Sequence, residues 1–489
     1  MVRQTAREGY YNPSRNEQED KGRKFILAVV FFFASVAQTQ TLDTVIHFPK
    51  SVFMCFYIPE GNKLYNGCGD AVYILDCSTL RLRAIISLSN WMVARAYPCW
   101  AYKHNKIYLP FMRYAPDTSI LAVINNSNDS LITILPINCL IDGEFLHSIA
   151  YSATSDKLYV VGVGSITIID PATDTIIKTI RPSGYTPGDM AIWDSIGNKV
   201  YVGSIVWTNP DRVTVIDCQT DSVIRVIRTG IYCPVVAAYS TLSHKLYVGG
   251  EWGDRRVAVI DCEYDTVIKR FNNIYSDCDY SPVYASQVNK VYWPSWMGHT
   301  DTVFVIDCDT DSIVRTISEL LGESLRLWGC GGTYAKWSNR FYLPMRIDTI
   351  SILAVFDCET DSLIGYVRLS RYNNFATDIV YNPVDRKIYV LVPGDRAIYV
   401  FRDSLQGIAE GQITSQVSQS SVPTFISNLL LLPESGMGEN QKAVLMDVSG
   451  RRVLKLKPGA NDVRFLSPGI YFVRNQARNS NVTRVVIIR

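Results

Sequence analysis

One short pattern recurs along this chain and constrains its fold more than any other feature. Lys-apolar-Tyr stands at Lys63, Lys106, Lys157, Lys199, Lys245, Lys290 and Lys387, with Arg340-Phe341-Tyr342 as a variant. Successive starts lie 43, 51, 42, 46, 45, 50 and 47 residues apart. In most units a second signature follows some 15 to 20 residues later, as in Val215-Ile216-Asp217-Cys218-Gln219-Thr220-Asp221 and Val305-Ile306-Asp307-Cys308-Asp309-Thr310-Asp311. A period of 40 to 50 residues means an array of repeats rather than three separate domains.

One unit reads as four short strands. In the fourth unit, 189–193 is an apolar-rich strand, 195–198 a tight turn, and 199–203, 213–217 and 222–227 the remaining strands, with a turn at 218–221. The strands are rich in Val, Ile and Tyr, and Gly, Asn, Asp and Pro bound them. No helix-period segment intervenes. Repeated four-stranded antiparallel units predict an all-β chain, an eight-bladed β-propeller over residues 38–410, with seven blades as the alternative. Two segments compete to complete the last blade. Asp43 to Phe48 resembles a fourth strand, and so does Asp403 to Ile408.

The rest of the chain divides into an export signal and a tail. Phe25 to Ala37 is an apolar run of thirteen residues behind Lys21, Arg23 and Lys24, and it ends in Ser35-Val36-Ala37. That order is expected of a secretory signal, so residues 1–37 are read as a signal with a polar extension ahead of it. Thirteen residues of helix span about 20 Å, short of a bilayer core of about 30 Å. At the other end, 411–424 is a polar linker. Residues 425–489 read as a small β-sandwich with strands near 444–448, 453–456, 468–474 and 483–488, and turns at 449–452 and 459–462.

The repeat residues resemble the YVTN-type β-propeller repeats. Tyr159-Val160, Tyr201-Val202, Tyr247-Val248 and Tyr389-Val390 keep that family's Tyr-Val pair, and the units at Tyr65, Tyr108, Tyr292 and Tyr342 depart from it. The tail resembles the C-terminal sorting domain of the type IX secretion system of Bacteroidota-like bacteria. The matching residues are Asp447, Gly450, Arg451, Val453, Gly459, Asn461 and the run Pro468-Gly469-Ile470-Tyr471. This resemblance implies passage through the periplasm, a type IX translocon and a sortase as partners, and attachment to lipopolysaccharide at the cell surface of a Gram-negative bacterium.

Composition narrows the chemistry. A net charge of +2 over 489 residues lacks the basic excess of a nucleic-acid protein. The 12 cysteines are many. Cys77, Cys218, Cys262, Cys308 and Cys358 share one slot after the third strand, where other units place Asn126 and Pro171, so the slot is a turn position rather than a ligand. No Cys-x-x-Cys occurs, so most thiols are expected to be reduced, and no metal or cofactor is expected. His104 and His244 fall in first-to-second strand turns and are expected to be solvated. The repeated aspartates are expected to bond their own turn backbone.

Loops between the second and third strands vary in length and carry aromatic and charged residues. They include Phe111, Met112, Arg113 and Tyr114; Trp207; Trp252 and Arg255; Trp293, Trp296 and His299; and Met345 and Arg346. Exposed aromatics beside Arg suit glycan or peptide recognition. The expected ligand-binding face therefore comprises Arg113, Tyr114, Trp207, Trp252, Arg255, Trp296, His299 and Arg346. The expected function is a secreted or cell-surface binding scaffold. The alternatives are an extracellular propeller lyase or hydrolase, for which His299 is the only candidate found, and a redox propeller.

Overall fold

The computed structural model describes residues 41–403 except 95, 115–116, 138–147, 185, 206–210, 251–255, 277–280, 296–300, 321–322, 325–326, 328–330, 348–349 and 370–373. In the C-terminal region it describes 424–487 except 427–428, 433–442, 448–450, 458, 464–465, 468 and 476–481. The chain forms two compact units, one within 36–412 and one that includes 413–489.

The repeat folds as read. The fourth unit places Pro187–Asp194, Lys199–Ser204, Arg212–Asp217 and Ser222–Arg228 side by side in one antiparallel sheet. Among the described residues eight sheets of this kind follow one another, and the second splits its innermost strand into Met92–Val93 and Cys99–Ala101. The second strand of each sheet is buried on both faces, as in Lys245–Gly249, whereas the outermost strand is largely exposed, as in Ser222–Arg228. A sheet buried on both faces needs a neighbour on each side, and a closed ring of blades supplies it. The apolar cores lie between sheets rather than within them. Tyr201, Val213 and Val215 of the fourth sheet pack with Ala237, Leu246, Val248 and Ile260 of the fifth. The equivalent cluster between the eighth sheet and the first joins Tyr389, Leu391 and Val400 to Cys55, Leu64 and Leu75. The architecture is a β-propeller.

Each seam is fastened by the two repeated signatures, which meet across it. Lys199 Nζ of the fourth sheet donates to the Cys262 carbonyl oxygen at 3.0 Å and to Asp265 Oδ2 at 2.9 Å in the fifth. Tyr201 Oη donates to Asp265 Oδ1 at 2.5 Å. The same three groups recur as Lys106, Tyr108 and Asp174, Lys157, Tyr159 and Asp221, Lys245, Tyr247 and Asp311, and Lys290, Tyr292 and Asp361. At the first seam Lys63 reaches Asp129 while Tyr65 turns to Asn126 Oδ1. The expectation that the turn aspartates bond only their own backbone is therefore corrected. The first Asp of each turn does so, as Asp217 Oδ1 accepts from the Thr220 backbone N–H at 2.7 Å. The second sits at a positive φ, 55° at Asp221, which aims its carboxylate out of its own turn and into the neighbouring sheet.

Closure uses the N-terminal candidate. Thr41–His47 pairs antiparallel with Ala397–Arg402, completing the sheet of Asp378–Asn382 and Lys387–Val392. Residues 404–408 of the rival strand lie outside the described residues. The closing seam lacks the usual carboxylate, because Leu80 takes the position that Asp221 holds in the fourth sheet. Lys387 still reaches the Cys77 carbonyl oxygen. A different acid serves this seam. Buried Asp378 accepts from the Cys55 backbone N–H and from Tyr97 Oη, both at 2.8 Å. Burial pushes its carboxyl up to about 7, and these bonds with a third from the Ile379 backbone N–H only partly oppose that.

In the C-terminal unit one sheet contains Thr424–Ile426, Val482–Ile487, Gly469–Asn475, Ala443–Met446 and Arg452–Leu456 in that spatial order. Ala443, Leu445, Leu456, Val463 and Tyr471 form its core. Gly459–Asp462, expected as a turn, is instead a strand paired with Leu429–Leu432. Four consecutive leucines present a strand edge that a turn would leave unpaired.

Two outcomes follow. Asp221→Ala strands both Lys157 and Tyr159 at a buried seam and should cost about 3 kcal/mol in urea unfolding. Asp217→Ala, which loses only a local turn bond, should cost about 1 kcal/mol. Equal losses would contradict the seam assignment. Asp378 is protonated more readily in the fold than in the unfolded chain, so it lowers stability as pH rises from about 4 to about 7. Compared with Asp378→Asn, the native chain should therefore lose about 2 to 3 kcal/mol between pH 5 and pH 8. A difference independent of pH would contradict it.

Candidate binding face

The antiparallel meander sends first-to-second and third-to-fourth turns to one side of the ring. Second-to-third connections and sheet-to-sheet connections emerge on the other. The two sides differ. Every first-to-second turn has four residues, from 59–62 to 383–386, as does each third-to-fourth turn that links described strands. The second-to-third connections run from two residues at 69–70 and 163–164 to seven at 205–211.

On the constant side, side chains serve the seams. Aromatics on several innermost strands bond the following first-to-second turn, as Tyr284 Oη does to Asn289 Oδ1 at 3.0 Å and Tyr334 Oη to Asn339 Oδ1 at 2.9 Å. The two histidines expected to be solvated are paired and only about a fifth exposed. His104 Nε2 lies 2.8 Å from Asp156 Oδ2, and His244 Nε2 lies 3.0 Å from Asp194 Oδ2. Burial would raise Asp194, but hydrogen bonds from Tyr239, His244 and the Gly197 and Ile196 backbone outweigh it and hold the carboxyl below its usual range. Each cluster joins adjacent sheets, so these groups act as seam contacts like the lysine clasps.

On the variable side the structure brings together part of the expected set. Arg113 lies over the Trp91 ring at 5.0 Å, and Arg346 over the Phe375 ring at 5.4 Å. Pro344, Met345, Arg346, Ser351, Phe375 and Ala376 line a small cleft. Both arginines are partly exposed, and each has a buried Nε–H with no acceptor. Tyr114 ends the strand Lys106–Tyr114, where its backbone partner is Asp117. Trp207, Trp252, Arg255, Trp296 and His299 lie outside the described residues. Phe111, Met112, Trp293 and Met345 correct the expectation of exposed aromatics and thioethers, because all four are buried in the seams. Trp293 fits against Gly249, where a Cβ would stand 2.4 Å from its ring, and its Nε1–H donates to Ser276 Oγ. Phe375 escaped the sequence reading because it falls in a connection with no repeat partner.

The nine described cysteines are all buried. The shared slot is structural: the Cys218 N–H bonds the Asn198 carbonyl, and its own carbonyl accepts from Lys157. Burial raises these thiols, Cys218 and Cys308 to about 11 and Cys77, Cys262 and Cys358 to about 12.

In the C-terminal unit, the Arg451 backbone N–H and Nε donate to the Asp447 carboxylate, both at 3.0 Å, which closes the 447–451 turn. Asn461 exchanges two bonds with the Lys457 backbone, and Tyr471 Oη donates to the Ser467 carbonyl oxygen. Gly459 and Gly469 begin strands, and Gly450 lies outside the described residues.

No family model matches the chain, and no curated protein matches it either. Similar solved structures include the C-terminal WD40 domain of Sif2, at 13% identity and a TM-score of 0.54 over 75% of this chain and 98% of that domain. Raptor from Chaetomium thermophilum is similar at 10% identity and a TM-score of 0.48, over 74% of this chain and 29% of that one. The likeness to Sif2 shows the β-propeller fold and nothing finer.

Because the thiolate is the reactive form, the nine described thiols should resist a disulfide-exchange reagent in the native chain and react after denaturation. Rapid native labelling of several would contradict their burial.

Proposed function

We propose that this protein is a binding scaffold displayed outside the cell, in which the propeller presents a ligand face and the C-terminal unit directs export. The observation that carries the reading is the asymmetry of the ring. One side has four-residue turns whose polar groups are tied into seams. Length variation and two arginines with unmet N–H groups are on the other. A scaffold conserves its frame and varies its contact loops. The ligand class this chemistry fits is a glycan or a peptide, met by aromatic faces and guanidinium groups.

The finer assignment rests on the residues of the repeat and the tail. It is a YVTN-type repeat protein carried by type IX secretion, with the translocon and sortase as partners and attachment to surface lipopolysaccharide. Asp447, Arg451, Asn461 and Tyr471 support it as turn-closing and strand-anchoring residues rather than contact residues, which suits a tail recognised as a folded unit.

Binding of the full chain to glycan and peptide arrays tests the first part. Discrete ligands whose capture falls at least tenfold in Arg113→Ala or Arg346→Ala are expected. Ligands insensitive to both substitutions would remove the face from the reading. For the second part, deleting residues 425–489 in the source cell should leave the propeller in the periplasm. Unchanged surface display would contradict it.

A further inference from the structure

The variable side is uneven in height: the second strands of the second and seventh sheets are the long ones, and where the ring closes two lower sheets stand between them. In the first sheet the second strand Lys63–Cys68 has six residues and turns through Gly69 and Asp70 into Ala71–Asp76. In the eighth, Lys387–Val392 has six and turns through 393–396. The flanking sheets stand taller. Lys106–Tyr114 and Asp117–Asn125 have nine residues each, and Arg340–Ile347 and Ile350–Asp357 have eight. All four second strands start at the same repeat position. At about 3.3 Å per residue the second sheet rises roughly 10 Å above the first, and the seventh roughly 7 Å above the eighth. The ring order is seventh, eighth, first, second, so two low sheets lie between two high ones.

The two arginine–aromatic stacks stand on these two walls. Arg113 is on the second sheet against Trp91 of the connection from the first. Arg346 is on the seventh against Phe375 of the connection to the eighth. Among the described residues neither guanidinium has an ion pair or a hydrogen bond, in contrast to the clasp cations. On the floor, Lys50 pairs with Asp70 at 2.6 Å, and Arg396 donates to the Pro49 carbonyl oxygen. Asp395 is engaged by Asn374 and Tyr399. Among the described residues the trough therefore has two positive charges without an ion pair on its walls, while Asp70 and Asp395 on its floor are engaged.

We propose that this trough binds a carboxylated polysaccharide, a chain of uronate sugars lying across the first and eighth sheets. The inference rests on the reading of this side as the binding face and names its ligand class. A guanidinium seated over an aromatic ring presents a planar fork of N–H donors that fits a carboxylate. Two such forks on opposite walls call for an extended ligand with repeated acid groups rather than one small anion. Aromatic rings beside them offer flat apolar surface to sugar faces. An acidic peptide fits less well, because the second and third strands of the floor are hydrogen-bonded on both sides and leave no edge for a peptide backbone.

Titration of the full chain with polygalacturonate tests this. Binding should be lost when the polymer is methyl-esterified. It should fall at least tenfold in the Arg113→Ala/Arg346→Ala double variant and severalfold in Arg346→Lys, which keeps the charge but not the planar guanidinium fork. Arg225→Ala, on an exposed outer strand, removes the same charge elsewhere and should change nothing. Native melting temperatures of all variants separate misfolding from lost contacts. Equal binding of esterified polymer, equal loss in Arg225→Ala, or tighter binding of poly-glutamate would overturn the proposal. A neutral ligand captured through Arg113 and Arg346 would overturn it while leaving the binding face in place. Ligands indifferent to both arginines would remove the face as well.

Discussion

The ring depends on a lysine, a tyrosine and an aspartate that meet between neighbouring sheets. None of the three is at ease alone in that position. Tyr201 is fully buried, and burial drives its phenol well above its usual range, so it stays protonated and donates to Asp265. Lys199 and Asp265 are each largely removed from water and would cost several kcal/mol unpaired. The pair belongs to two different sheets, so its desolvation is compensated only when the sheets are docked in register. Apolar packing between sheets supplies the attraction, and the clasp fixes the alignment. The same geometry repeats at five successive seams, and regular docking of that kind is what a closed ring requires.

This division of labour has a consequence for function. The clasp sits on the side of the four-residue turns and consumes their lysines, aspartates and both described turn histidines. Groups that resemble a catalytic inventory in sequence are thus structural. The opposite side is free of that duty, and its strands lengthen, shorten or end in long connections without disturbing a seam. The closing pair of sheets is where the frame departs furthest from its own rule. Leu80 breaks the carboxylate pattern, and Asp378 takes over the fastening from the other end of the strand.

Much of this was legible in the sequence because a repeat reports its own secondary structure many times over. Strand order, turn positions and the shared cysteine slot needed only alignment of the units. The clasp was not legible in the same way. Its partners lie 64 residues apart at Lys157 and Asp221 and belong to different units, whereas the local pattern at Asp217 and Thr220 offered a complete turn explanation. An aromatic six residues before every clasp cation, from Tyr57 to Tyr381, was equally regular and went unread. Closure was ambiguous because both candidate strands carry the same Asp-then-apolar pattern, and only pairing with Ala397–Arg402 distinguishes them. On the variable side, exposure could not be read from residue type. Trp293 is buried because Gly249 leaves room for it, while Arg113 and Arg346 keep free hydrogen-bonding capacity.

The central claim is that the two signatures of the repeat act on each other across a seam rather than within a unit. A double-mutant cycle on Tyr201→Phe and Asp265→Ala measures that interaction directly by urea unfolding. A coupling of about 1.5 kcal/mol or more is predicted for this pair, and about zero for Tyr201→Phe with Asp311→Ala, which belongs to the next seam. Additive effects for Tyr201 and Asp265 would contradict the account.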